Sequence, residues 1–166
     1  MALIPEQLPA LKTSILADPA LAALPLSTAN AIFIANEYNK AASPVWIVWK
    51  SKVTQDEIMQ NGFDWTRVDN LSIGPARVWE WMFDNVTKSI NPAKLNVRAG
   101  IDAVWKGTAS DLAVRAAVYV HCKRSATRAE KLYTSGTGSD ASPATLEFEG
   151  AVTPQNVIDC GWATIP

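Results

Sequence analysis

From Leu112 to Tyr133, apolar residues recur at steps of three and four: Leu112, Ala116, Tyr119, Cys122, Ala126, Ala129 and Tyr133. At 3.6 residues per turn, side chains spaced this way share one face of an α-helix. The spacing predicts one long helix from Ser110 or Asp111 to about Ser135, ended by Gly136, with the stripe turned into a core. An apolar face of that length must be covered by other helices, which points to a helical bundle.

The other elements follow from punctuation. Pro5 opens a helix carrying Leu8, Leu11 and Ile15, stopped at Asp18-Pro19. Ser27 or Thr28 caps a second helix with Ile32, Phe33 and Asn36, running to Asn39. The run VWIVWK (45–50) is rich in β-branched and aromatic residues and reads as a strand or a buried extended linker. Thr54-Gln55-Asp56-Glu57 is a capping box for a short helix that ends at Asn61-Gly62. Gly74-Pro75 begins a helix that buries Trp79, Met82, Phe83 and Val86 and points Trp81 elsewhere. Asn91-Pro92 caps another, with Leu95, Val97, Ile101, Val104 and Trp105, up to Lys106-Gly107.

Composition limits what such a chain can do. Its 166 residues are long enough for one continuous core, and a net charge of −1 argues against a dedicated nucleic-acid binder. Two cysteines and one histidine cannot supply the usual four N/S ligands of zinc, nor a disulfide framework. No cofactor is expected. Cys122 reads as a reduced core thiol. The N-terminus has no basic stretch and carries a proline in its apolar part, and no apolar run approaches a membrane span. The expectation is a soluble protein from a reducing compartment, with most of its seven tryptophans in the core.

The stretch HCKRSATRAEKLYTSGTGSDASPATLEFEG (121–150) holds the chemistry-bearing residues. Neighbours on a helix point about 100° apart, so His121 and Cys122 cannot face each other as base and nucleophile. GTGSD follows a helix where a phosphate-cradling loop leads into one. Arg124, Arg128 and Lys131 fall opposite the stripe and form a basic ridge. Three readings stay open for it: dipole compensation, an acidic protein partner, or nucleic-acid phosphate. After Gly136, TGSDASP (137–143) has linker composition, TLEFE (145–149) alternates as a strand does, and Thr153-Pro154 opens a short helix. The strand could pair with VWIVWK or with a neighbour's sheet edge. Leu146, Phe148, Val157, Ile158 and Trp162 are spaced too widely to form a core alone, so residues 137–166 read as an extended C-terminal arm that docks through them. The whole is a mostly α protein: a helical bundle (1–136) with a short β element, followed by the arm.

ASPVWIVWKSKV (42–53), NGFDWT (61–66), INPAKLNVRAGIDAVWKG (90–107) and RSATRAEKLYTSGTGSDASPATLEFEG (124–150) resemble a family of small proteins encoded among the virion-morphogenesis genes of tailed bacteriophages and prophages. The resemblance spans most of the chain and implies a virion structural protein, with no catalytic residues to transfer. In size, helical pattern and arm, the chain is similar to the head-to-tail adaptors of the neck, which form a ring beneath the portal and clasp it with their C-terminal segments. The resemblance thus implies a dodecameric homo-oligomeric ring contacting portal and tail or neck proteins, passed by DNA without sequence preference and apart from any membrane. It would be assembled in the host bacterial cytoplasm and located in the virion neck. The alternatives are a head-completion or tail-terminator protein, or, in another class, a DNA-packaging factor or small enzyme.

Overall fold

The structure is a computed structural model that describes residues 3–60, 63–64 and 66–162. Helices account for 52% of it and strands for 11%, so the fold is mostly α with short β elements. After a 3-10 turn at Pro5–Gln7 come α1 (Leu8–Leu16), α2 (Pro19–Ala22), α3 (Thr28–Asn39), β1 (Ile47–Trp49), β2 (Val53–Thr54) and α4 (Gln55–Met59). The chain continues with α5 (Thr66–Asp69), α6 (Ile73–Met82), β3 (Ser89–Ile90), α7 (Leu95–Val104) and α8 (Ala109–His121). It closes with β4 (Lys123–Ser125), α9 (Arg128–Leu132), β5 (Thr134–Ser135), β6 (Thr145–Leu146) and α10 (Pro154–Cys160). The expected helix stop at Asn61-Gly62 lies outside the described residues.

Two compact units result. Unit 1 takes the chain up to Val48 and again from Ser125 onward, and unit 2 is the continuous stretch Trp49–Arg124. The expected division at Gly136 is therefore not the observed one. Linker composition suggested a boundary there, but the segment after it closes back onto the first helices.

In unit 1, local caps set the helix starts. The Asp18 carboxylate accepts from the Ala20 and Leu21 amides (3.1 and 3.4 Å), with Pro19 at the first helical position of α2. Ser27 Oγ accepts from the Asn30 amide (3.1 Å) and opens α3. That helix buries Ala31, Ile34, Ala35 and Tyr38, a face offset from Ile32 and Phe33, which stay exposed. The core joins Leu11, Ile15 and Ile34 to Phe148, Val152, Val157 and Trp162. Burying side chains such as Phe148 and Val157 stabilises by ~1.5–3 kcal/mol each. Residues 137–162 are thus no free arm. They lack a core of their own because they complete one begun a hundred residues earlier.

Backbone pairing ties that segment down. β5 and β6 pair antiparallel, Thr134 with Leu146 and Ser135 with Thr145. Ala144 bridges Val48 in parallel, and its N–H donates to the Ile47 carbonyl (2.9 Å). The expected strand at 145–149 is hence shorter, and both its neighbours come from the same unit. Asn39 imitates a strand partner: its Nδ2 donates to the Val152 carbonyl and its Oδ1 accepts from the Val152 amide (2.9 and 2.8 Å). Gly138, at φ +64°, lies against the Trp46 indole so closely that a Cβ there would come within 2.1 Å of the ring. Gly161, at φ +63°, ends α10 in the left-handed conformation common after helices.

Unit 2 is built on an aromatic cluster. Trp79 packs edge-on against Phe83 (5.1 Å) and Trp105 (5.4 Å) and stacks on Phe63 (5.8 Å). Val53, Ile58, Ile101, Val114, Val118 and Cys122 surround it. β2 and β3 pair antiparallel, Val53 with Ile90. Val86, expected on the buried face of α6, is 90% exposed, because the helix ends at Met82 and Asp84 organises a turn by accepting from the Val86 and Thr87 amides. Asn91 caps no helix. Its side chain accepts from the Ala93 amide (3.0 Å) in a local turn, and α7 starts only at Leu95.

The predicted long helix is two helices in different units. α8 ends at His121, Lys123–Ser125 is extended, and α9 restarts from a Thr127–Glu130 capping box, with Thr127 Oγ1 accepting from the Glu130 amide (3.1 Å). Val114 and Val118 lie on the buried face of α8, continued by Cys122 at its C-cap, while Leu112 and Ala116 are exposed. The stripe joined residues of two separate elements.

Candidate functional site

Cys122 sits at the C-cap of α8, fully buried, and burial pushes its thiol up to about 12. A thiol so placed stays protonated at neutral pH. Cys160 is also pushed up by burial, and its Sγ donates to the Val157 carbonyl (3.0 Å). Among the described residues no His, Cys, Asp and Glu side chains gather in a metal-binding group, and no helix is long and apolar enough to cross a membrane.

The residues expected to form a basic ridge do not share a helix. Arg124 lies in β4, whereas Arg128 and Lys131 belong to α9. Arg128 Nη2 donates to Asp18 Oδ2 (3.0 Å), and its guanidinium carbon is 4.4 Å from the Tyr38 ring centroid. The hydrogen bond from Arg128 holds the Asp18 carboxyl below the usual range. Lys131 Nζ is 4.8 Å from the Trp46 ring centroid, and that indole N–H donates to Thr134 Oγ1 (3.2 Å). Of the expected docking residues, Phe148, Val157 and Trp162 are core, Leu146 packs beside Val48 and Ala144, and Ile158 stays exposed.

Two surface features bear on binding. The first is an open cleft of about 700 Å³ in unit 1, between the end of α3 and α9. Glu37, Lys40, Ala42, Arg128, Lys131 and Leu132 line it, along with Ser14 and Ser43. Its walls are fixed to each other: the Arg128 amide donates to the Lys40 carbonyl (2.8 Å) and the Ala42 amide to the Ala126 carbonyl (3.0 Å). Lys40 pairs with Glu37. Below, the Tyr38 hydroxyl donates to Ser14 Oγ (2.7 Å), and burial raises its pKa. Charge in the sequence marks Arg128 and Lys131 but not Asp18, Tyr38 and Trp46, which hold them; Asp18-Pro19 reads locally only as a helix stop.

The second feature is apolar and belongs to unit 2. Val78, Trp81, Met82, Asn96 and Val97 border a shallow hollow of about 310 Å³ on α6 and α7. Trp81 is 80% exposed there, and Ile73 and Leu95 on the same two helices are also exposed. No protein-family model, curated protein or solved structure matches this chain.

Proposed function

We propose that the chain is a structural subunit of a tailed-phage virion, a head-to-tail adaptor that forms a homo-oligomeric ring between portal and tail. One observation carries the assembly half of this reading: the apolar α6–α7 face centred on Trp81. An indole left in water forgoes the burial that makes Trp a dominant interface residue, and contiguous exposed apolar groups mark contact surfaces. The virion half rests on the resemblance of the four sequence stretches. In this proposal the docking role passes from residues 137–162 to the Trp81 face. Phe148, Val157 and Trp162 are occupied in their own unit's core, and among the exposed apolar groups Trp81 is the largest, so we assign the contact with neighbouring copies to its face.

The test is sedimentation of the intact chain and of Trp81→Glu, alone and with portal-bearing heads. The intact chain should form a ring and co-sediment with heads, and the variant should remain a folded monomer that does neither. A monomeric intact chain that ignores heads, or a variant that assembles normally, would overturn the reading.

A further inference from the structure

We propose that the cleft of unit 1 binds an acidic peptide segment of a protein partner, with a Glu or Asp side chain meeting Lys131 and an apolar side chain seated on Leu132 and Ala42. This goes beyond the ring reading and does not depend on it, since the Trp81 face belongs to the other unit.

Charge is the first ground. The chain as a whole carries −1, yet the cleft wall presents Lys40, Arg128 and Lys131 against the single carboxylate of Glu37. Asp18 engages Arg128 and Glu37 engages Lys40, whereas Lys131 has no carboxylate partner among the described residues. A lysine ammonium over an indole face keeps three N–H donors, so Lys131 is free to receive a carboxylate.

Preorganisation is the second ground. Trp46, over which Lys131 lies, is locked by its bond to Thr134 and by the Gly138 backbone. Arg128 is fixed between Asp18 and the Tyr38 ring. Side chains ordered before binding lose less freedom on binding.

Size and lining select a peptide. A cleft of about 700 Å³ falls within the range of ligand sites and would leave most of its volume to water around one inorganic anion. Leu132 and Ala42 give it an apolar part that phosphate cannot use. Nucleic acid is disfavoured because backbone binding draws on many free cations, and here most are already paired.

The experiment selects a random heptapeptide library against the immobilised full chain, then against Lys131→Gln, Lys131→Arg and Lys40→Gln. Enriched peptides should carry Asp or Glu beside an aliphatic residue and weaken with salt. They should bind Lys131→Gln about tenfold less tightly, with Lys131→Arg restoring affinity. Chemical shifts of the Ala42 and Leu132 amides should follow the titration. Matched melting temperatures show that the variants fold; should Lys131→Gln fail this check, Lys131→Met, which removes the same charge and keeps the apolar stem over Trp46, supplies the same comparison. No enrichment, enrichment of neutral peptides, affinity untouched by charge removal, or displacement by millimolar inorganic phosphate would each overturn the proposal.

Discussion

Gly138 shows how one residue can hold a surface in place. Its positive φ and its contact with the Trp46 ring leave no room for a methyl group. Gly138→Ala must both strain the backbone and push the indole, so it should destabilise the protein by about 2–4 kcal/mol in denaturant unfolding. An unchanged midpoint would show that the 136–143 loop does not pack on Trp46. At this scale the sequence was partly legible. TGSDASP looked like linker because its residues suit turns, and they do; that the turn is pressed onto an aromatic ninety residues earlier leaves no mark in local composition. Arg128 and Lys131 were found by charge, but their aromatic supports, Tyr38 and Trp46, come from elements that only folding brings near.

Among the elements, caps were more reliable than stripes. Thr54-x-x-Glu57 is legible from its pattern and stands in the structure, with Thr54 Oγ1 accepting from the Glu57 amide (3.2 Å). The same signature recurs at Thr108–Asp111 and Thr127–Glu130, where each begins a helix. Both are masked in the sequence by the apolar steps from Leu112 to Tyr133, which imitate unbroken periodicity. Alanines match almost any face and so discriminate poorly between one helix and two. The Thr108 box has a pH signature. Asp111 accepts from Arg67 Nη2 (2.6 Å) and from the Thr108 amide (2.8 Å), and these bonds, Arg67's first, hold its carboxyl down to about 2. Above the unfolded value near 4 the group is ionised in both states, and its stabilisation is complete. As pH falls from about 4 to about 2 the unfolded chain takes up a proton that the folded one refuses, so stability drops across that window. In urea unfolding at stepped pH, Arg67→Met should be less stable at pH 7 and show a shallower acid loss. An acid limb identical to that of the unchanged chain would remove Asp111 from the account.

At the scale of the molecule, unit 2 is an insertion. The chain leaves unit 1 within β1 and re-enters it within β4, and unit 2 closes its own ends, since the Lys50 amide donates to the Cys122 carbonyl (2.9 Å). Residues 49–124 hold their own aromatic cluster and caps. Produced alone, this segment should be helical, unfold cooperatively and keep the near-ultraviolet signal of packed Trp79 and Trp105. A helical chain without that signal would show that unit 2 needs the rest to pack. The discontinuity of unit 1 also sets an order of events during synthesis. Leu11, Ile15, Ile34 and Tyr38 leave the ribosome early, but Phe148, Val152 and Val157 follow only after all of unit 2 has been made. At ~5–20 residues per second, that delay is on the order of several seconds. In that interval the inserted unit can close while the host unit waits half-built, with its apolar helix faces uncovered for a holding chaperone to grip.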